Sequence, residues 1–275
     1  MRAVLVSRYP RVDTPEWKRR VAGRLFDAGV DLAVLYSRAA LIDQARAGLR
    51  EEGMGVLRRY LDLRKDERPG EPPSQSLASW ARERGIPVEG VRRLGDLAPL
   101  RRLAPDLFVL MGADIVPAAV LAVPRLGTIN AHFGLLPAYR GMNVTEWSVF
   151  RGDPVGVTVH LVDAGVDTGD ILLQEKIPIE AGETFASLRR KHRDVAARLL
   201  LQAALQLRDG SARPVPQAPD QGRQYYRMHP SLLRVAEARL RDQASSARGA
   251  RSSSPWSAAA ASTNPSATWA SDQRR

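Results

Sequence analysis

The sequence predicts an α/β fold: a Rossmann-like, open, mostly parallel sheet with helices on both faces. Two observations support this prediction. Short apolar runs alternate with amphipathic helical stretches from the N-terminus onward, which is the pattern of β-α-β units. Residues 106 to 112, DLFVLMG, are continuously apolar, as is typical of a strand at the centre of a parallel sheet. The 275 residues suffice for one large or two small domains with a substantial core.

Local signals predict the N-terminal β-α-β unit. Residues 3 to 8, AVLVSR, form a short buried strand, since they are too few and too rich in Val and Leu for an independent helix. A helix begins after Thr14, with Pro15 at its first position, and ends at Gly29. The second strand covers residues 32 to 37, LAVLYS.

Further elements continue the alternation up to residue 126. Between 39 and 63 glycines interrupt a helical pattern, which favours two short helices over one. Residues 64 to 75, RKDERPGEPPSQ, are polar and proline-rich, and they are predicted to be a surface loop inserted into the fold. The other predictions are a helix at 76–84, a strand at 87–91, a helix at 94–103, the strand at 106–112 and a helix at 117–121.

The second half of the chain is predicted to return to the sheet and then to leave it. The elements are a strand at 127–131, a helix at 143–150 with Trp147 and Phe150 inward, strands at 155–162 and 171–179, and a long amphipathic helix at 183–207 that Gly210 ends. We expect a catalytic domain at 1–210, a C-terminal strap and helix packed on it at 211–243, and a disordered tail rich in Ser, Ala and Pro at 244–275.

Composition excludes some functional classes and leaves others open. Cysteine is absent, which excludes disulfides and thiolate nucleophiles, and the four scattered histidines predict no structural metal. The formal net charge is +11, and all but four of the 41 basic residues are arginines. A positive charge of this size is typical of proteins that bind nucleic acid, anionic membranes or phosphorylated small molecules. An Arg-rich chain can also result from a biased genome. No signal peptide or membrane span is predicted, so the expected location is the cytoplasm.

Two polar segments are candidate parts of a site. The ends of the 106–112 and 127–131 strands should lie on the same rim of the sheet, where open parallel sheets bind their ligands. Residues 127 to 141, GTINAHFGLLPAYRG, put Asn130 and His132 on one face of a strand end, because residues two apart in a strand project the same way. Residues 163 to 170, DAGVDTGD, form a loop with three acids and two glycines. Each segment also has a purely structural interpretation, as a strand-end cap and as a solvated turn.

The nucleotide-binding motifs of α/β proteins are missing from the sequence. No G-x-G-x-x-G follows the first strand, and no Walker phosphate loop is present, which argues against an ordinary dinucleotide or triphosphate site. Ser7 and Ser148 lie in no G-x-S-x-G elbow. The sequence therefore favours direct attack by a substrate over an acyl-enzyme intermediate.

An amide, an imidazole and a carboxylate can together catalyse acyl transfer. The amide donates to a developing oxyanion, and the imidazole donates a second hydrogen bond or shuttles a proton. The carboxylate orients the imidazole or accepts a proton through water. Asn130, His132 and an acid of the 163–170 loop would supply this set.

The motif INAHFGLLPAYRG, followed by GVTVHLVDAGVDTGDILLQEKIPI, resembles the formyltransferases that use 10-formyltetrahydrofolate. That family includes methionyl-tRNA formyltransferase, glycinamide ribonucleotide formyltransferase and amino-sugar N-formyltransferases. The resemblance covers roughly residues 3 to 210 and implies the formyltransferase fold. It also implies that Asn130, His132 and Asp167 are catalytic: the first two stabilise a tetrahedral oxyanion, and Asp167 assists His132 and proton removal.

The resemblance further implies a pterin pocket formed largely by backbone groups, with no metal. Its residues lie in the loop after the 106–112 strand and in the acidic loop, and they are Met111, Gly112, Ile115, Val116, Asp163, Ala164, Gly165 and Val166. His160 falls in mid-strand and is expected to be structural.

Two departures from the family pattern bear on the acceptor amine. Gly134 stands where the tRNA enzymes usually have Ser, and only some thirty structured residues are expected after Gly210. These departures favour a small amine, such as an amino sugar, over tRNA. The alternatives that stay open are tRNA formylation without the usual tRNA-binding domain, a non-catalytic folate-binding protein and a nucleic-acid binder that uses the positive charge.

Overall fold

The fold is built on a seven-stranded sheet in a computed structural model that describes residues 1–7, 16–37, 76–92, 94–112, 116–218 and 220–252. The strands of this sheet run in the spatial order β3-β2-β1-β4-β5-β7-β8. They are β1 (Arg2–Ser7), β2 (Asp31–Ser37), β3 (Val88–Val91), β4 (Leu107–Leu110), β5 (Thr128–His132), β7 (Val155–Leu161) and β8 (Ile171–Ile177). Two further strands, β6 (Tyr139–Gly141) and β9 (Arg223–Tyr225), form a small separate sheet.

The first five strands of the large sheet are parallel, as the alternation of strands and helices predicts. β4 is the middle strand of the seven, in agreement with its continuous apolar sequence. β7 and β8 then run antiparallel at one edge, and β7 pairs with β5 so that His160 lies opposite Asn130. The sheet is therefore mixed, and its antiparallel edge adjoins the strand that carries Asn130 and His132.

Helices cover both faces of the sheet. They are α1 (Glu16–Asp27), α2 (Leu77–Glu83), α3 (Leu97–Arg102), α4 (Ala118–Leu121), α5 (Val144–Arg151), α6 (Phe185–Arg208) and α7 (Pro230–Ser252). The predicted helix ends agree with the structure where a glycine or a capping residue marks them. Gly29 follows α1 with φ +71°, and Thr184 and Ser187 form a reciprocal capping box at the start of α6.

The core consists of two clusters, one on each face of the sheet. Alternate residues of β1 divide between them: Leu5 belongs to the cluster under α1 and α6, and Val4 to the cluster under α3 and α4. Leu25 of α1 and Phe108 of β4 are fully buried members of the first and second cluster. This division confirms the predicted layer of helices on each face.

Some predictions differ from the structure or lie outside it. The last helix continues to Ser252 instead of ending at Gln243, because Ala and Arg in this stretch are good helix formers even without large apolar side chains. Trp147 and Phe150 are half-buried on α5, where they contact each other edge to face and do not enter the core fully. The predicted helices at 39–63 and the loop at 64–75 lie outside the described residues.

Candidate active site

The carboxyl end of β5 places Asn130 and His132 on the same face of the sheet. Ile129 and Ala131 pack into the first core cluster, so the pleat turns the two polar side chains the other way. His132 is buried, and Asn130 is half-buried. The predicted juxtaposition of the amide and the imidazole is therefore present.

His132 contacts a backbone carbonyl on one side and Asp167 on the other. Its Nε2 lies 2.7 Å from the carbonyl oxygen of Tyr139, and its Nδ1 lies 3.4 Å from Oδ2 of Asp167. Because a carbonyl can only accept, Nε2 carries a hydrogen. The protonation state of the ring is therefore decided at Nδ1, the atom that faces the carboxylate.

Asp167 lies in the 163–170 loop between β7 and β8, with its backbone in the left-handed region at φ +54°. Its Oδ2 accepts a hydrogen bond from the backbone N–H of Gly141 at 2.9 Å, and its Oδ1 lies 3.5 Å from Nε2 of His160. Burial by itself raises the pKa of Asp167, but His160, His132 and the Gly141 N–H together outweigh burial and lower this pKa to about 2. The carboxylate is thus ionised at neutral pH.

Opposing effects act on the imidazole of His132. Burial is the largest effect and lowers the pKa of His132, whereas the Asp167 carboxylate raises it. The ring is consequently neutral in its resting form, and the adjacent carboxylate of Asp167 can stabilise the protonated form. This arrangement suits an imidazole that takes up a proton during a reaction and gives it back.

His160 belongs to the same cluster, although sequence reasoning assigned it to the structural part of its strand. The β5–β7 register places it directly opposite Asn130, and Nδ2 of Asn130 lies 3.4 Å from its Nε2. His160 Nδ1 donates to the carbonyl oxygen of Leu161 at 2.7 Å. The alternation of residues 155–162 predicts which face His160 occupies, but the register that brings it to Asn130 is a tertiary property.

Hydrogen bonds attach the loop that follows β5 to strand β7, in the antiparallel part of the sheet. Thr158 Oγ1 donates to the carbonyl oxygen of Gly134 at 2.7 Å and accepts from the backbone N–H of Leu136 at 3.1 Å. Gly134 itself fits because a Cβ there would come within 2.9 Å of both His132 Nε2 and Val144 Cγ2. The glycine at this position, one of the two departures from the family pattern, therefore leaves room beside the His132 imidazole.

A cavity of about 400 Å³ opens beside Asn130 and His132. Its wall includes an ion pair between Glu146, which is 5% exposed, and Arg189, at 2.8 Å. Arg193, one turn further along α6, lines the same cavity. The remaining lining residues are Ala131, Phe133, Gly141, Asn143, Val144 and Thr145.

The residues predicted to bind a pterin form two groups, one in the segment after β4 and one at the tip of the acidic loop. Met111 is fully buried in the core, and Gly112 follows with φ +78°. Val116 is half-buried against the second core cluster, and Ile115 lies outside the described residues. Asp163, Ala164, Gly165 and Val166 form the exposed tip of the acidic loop, where Oδ1 of Asp163 accepts from the backbone N–H of Gly165 at 3.0 Å.

Two other kinds of site are absent from the described ranges. No group of three or more His, Asp or Glu side chains in those ranges is arranged to hold a metal ion. No helix in the same ranges combines the length and the apolar character needed to cross a bilayer.

Comparison with known proteins identifies the family of this region. The family model described as formyl transferase matches residues 95–204, which contain Asn130, His132, His160 and Asp167. Methionyl-tRNA formyltransferase of Synechococcus sp. (strain JA-3-3Ab) is 43% identical over 152 residues, or 53% of this chain and 46% of that protein. The chain thus spans a little under half the length of this curated relative.

Solved structures share the fold at low sequence identity. An N-formyltransferase from Helicobacter canadensis, in complex with folinic acid and dTDP-3-aminofucose, is 15% identical with a TM-score of 0.55, over 87% of this chain and 80% of that one. Phosphoribosylglycinamide formyltransferase from Bacillus halodurans is 20% identical with a TM-score of 0.53, over 75% and 95% of the two chains. Residues 95–204 are therefore similar to the formyl transferase family, over a stretch that contains the candidate site.

Proposed function

We propose that this protein transfers a formyl group from 10-formyltetrahydrofolate to a primary amine of a small molecule, such as an amino sugar, by direct attack of the amine. The observation that carries the proposal is the 3.4 Å contact between His132 and Asp167, with His132 and Asn130 both on the wall of one cavity. Similarity to the formyl transferase family over residues 95–204 restricts the reaction class. The three side chains supply what acyl transfer requires without a covalent intermediate.

Asn130 is proposed to stabilise the oxyanion that develops on the formyl oxygen. Its side-chain amide has two N–H bonds, and the contact with His160 uses one of them. The other can donate to the oxyanion, and such a donor contributes about 3 kcal/mol when it is well placed. Loss of the amide should therefore slow the reaction without unfolding the sheet.

His132 is proposed to take the proton that the attacking amine loses and to return it to the departing nitrogen. Nδ1 is the atom for this role, because Nε2 already donates to Tyr139. Asp167, with its pKa of about 2, is too weak a base to carry the proton, but its charge stabilises the imidazolium. We therefore assign proton transfer to His132 and charge stabilisation to Asp167.

The donor is proposed to lie between the loop after β4 and the tip of the acidic loop. The backbone around Gly112, the half-buried Val116 and the exposed residues 163–166 fit a flat ring held by backbone hydrogen bonds and one apolar contact. Bound there, 10-formyltetrahydrofolate supplies the activated formyl carbon. The folinic acid in the Helicobacter canadensis protein supports this choice of donor.

The acceptor is proposed to occupy the cavity beside Asn130. Arg189 and Arg193 place two guanidinium groups on its wall, beside the carboxylate of Glu146. Guanidinium groups suit an amine that also carries phosphate or another anionic group. The dTDP-3-aminofucose bound to the Helicobacter canadensis protein is an acceptor of this chemical kind.

A second candidate acceptor is methionyl-tRNA. The observation that favours it is the 43% identity to a methionyl-tRNA formyltransferase, well above the identities to the sugar and nucleotide enzymes of known structure. A tRNA acceptor would also benefit from the positive charge of the chain. The two candidates share the same chemistry at Asn130, His132 and Asp167 and differ only in the acceptor.

The test is formyl transfer from 10-formyltetrahydrofolate to a panel of nucleotide-linked amino sugars and to methionyl-tRNA. Wild type is compared with Asn130→Ala, His132→Ala and Asp167→Asn, and with His229→Ala as a control at an exposed histidine. We expect transfer to at least one amine by wild type and the control, and a loss of about 100-fold or more in the three site variants.

Other outcomes would contradict the proposal in distinct ways. Equal turnover by all five proteins would refute the catalytic assignment. Tight folate binding without turnover would indicate a non-catalytic folate-binding protein. RNA binding that weakens steeply with salt and ignores folate would indicate a nucleic-acid binder.

A further inference from the structure

We propose that Gln217 is a positioning residue for Asp167, so that the segment after α6 completes the candidate active site. This inference rests on the proposed function for the role of Asp167. Gln217 lies beyond residues 95–204, the region that matches the family model. The evidence is a set of side-chain hydrogen bonds that ties this segment to the acidic loop.

The Gln217 amide donates to two carbonyls of the acidic loop. Its Nε2 lies 3.1 Å from the carbonyl oxygen of Asp167 and 2.6 Å from that of Gly169. Its Oε1 accepts from Nε and Nη2 of Arg140, at 3.2 and 3.0 Å. These contacts use both donors and both acceptor positions of the amide, and they fix its orientation, because carbonyls only accept and a guanidinium only donates.

Arg140 links Gln217 to the other contacts of the site through β6. The three residues of this strand act in succession: the Tyr139 carbonyl accepts from His132, the Arg140 side chain holds Gln217, and the Gly141 N–H donates to Asp167. Arg140 is only 8% exposed. A buried guanidinium needs hydrogen-bond acceptors in fixed positions, so the Arg140–Gln217 contact holds the two side chains in one arrangement.

The backbone of Asp167 is the part of the loop that needs support. A non-glycine residue at φ +54° is held in a sparsely populated conformation by its surroundings. Gln217 binds the carbonyl oxygen of this same residue. Val215 brings Gln217 into place, because it exchanges two 2.8 Å backbone hydrogen bonds with Ile171 at the start of β8.

Two substitutions at Gln217 distinguish its hydrogen bonds to the acidic loop from its contact with Arg140. Gln217→Glu keeps an oxygen acceptor for Arg140 but removes both donors to the loop carbonyls. Gln217→Met removes both sets of hydrogen bonds without adding charge. Gln202→Glu, at an exposed position of α6, is the matched control.

The measurements are steady-state kinetics of formyl transfer and NMR titration of the histidine rings in the free protein. We expect kcat to fall about 10- to 100-fold in both Gln217 variants, with the KM of the amine changed by less than about 2-fold. In Gln217→Met the titration of His132 should move to lower pH, because a displaced Asp167 no longer raises the pKa of His132. The control should match wild type in both measurements.

A Gln217→Glu protein with wild-type kcat would overturn the inference. So would Gln217 variants that melt earlier but keep the wild-type His132 titration, because they would show a purely structural role. Absence of transfer by wild type to every amine tested would refute the proposed function instead. The NMR titration would then still report whether Gln217 holds Asp167 against His132.

Discussion

Nδ1 of His132 lies 3.4 Å from Oδ2 of Asp167, although His132 ends strand β5 and Asp167 lies in the loop between β7 and β8. The contact is specified from both sides. The Tyr139 carbonyl fixes the outer nitrogen of the imidazole, and the Gly141 N–H fixes the carboxylate. Since Tyr139 and Gly141 belong to the same three-residue strand, β6 sets the distance between the two groups.

Replacing Asp167 with Asn should abolish most of the activity while keeping the loop in place. The amide can still accept from Gly141, but it carries no charge to stabilise a protonated His132. We expect kcat for formyl transfer to fall about 100-fold or more, with little change in the KM of the amine. Asp209→Asn, at the exposed end of α6, should behave as wild type.

The same substitution should change how stability depends on pH. Asp167 has a folded-state pKa of about 2 against an ordinary value of 3.8, so its ionised form stabilises the fold above pH 3.8. That stabilisation, roughly 2 kcal/mol, is lost as pH falls through the folded-state value. Urea unfolding of wild type and Asp167→Asn should differ most near pH 7 and converge only below about pH 2; a constant gap would contradict the assignment.

His160 should matter for rate because it contacts both Asn130 and Asp167. His160→Ala removes both contacts from a position that is 1% exposed, and we expect kcat to fall roughly 10-fold with some loss of thermal stability. His160→Gln retains a polar side-chain group and should recover part of kcat. If both variants kept the wild-type kcat, the contacts of His160 with Asn130 and Asp167 would play no part in the reaction.

The arginines of α6 should select acceptors by charge. Arg193→Ala is expected to raise the KM of a phosphate-bearing amine about 10-fold and to leave the KM of an uncharged amine nearly unchanged. Arg198→Ala is the matched control, because Arg198 lies on the same helix but pairs with Glu175 outside the cavity. Equal effects on charged and uncharged amines would contradict a role in anion recognition.

Much of the fold is predictable from the sequence because its signals are local. Alternating apolar runs give the five parallel strands, and the long apolar run at 106–112 correctly predicts the central strand β4. Helix ends follow glycines and caps, as at Gly29 and Thr184. The exception is α7, whose last turns contain helix formers but no apolar periodicity, so its end at Ser252 lies beyond the predicted one.

For the site, the sequence by itself determined that Asn130 and His132 share a face at the end of a strand. Strand alternation is enough for that. The position of the 163–170 loop is a tertiary property, because the strand before it, β7, runs antiparallel to β5. Only the tertiary structure decided that His160 lies opposite Asn130, that Tyr139 and Gly141 hold the two catalytic candidates, and that Gln217 reaches the loop. Those contacts depend on strand register and on hydrogen bonds between segments distant in the chain, which no local pattern encodes.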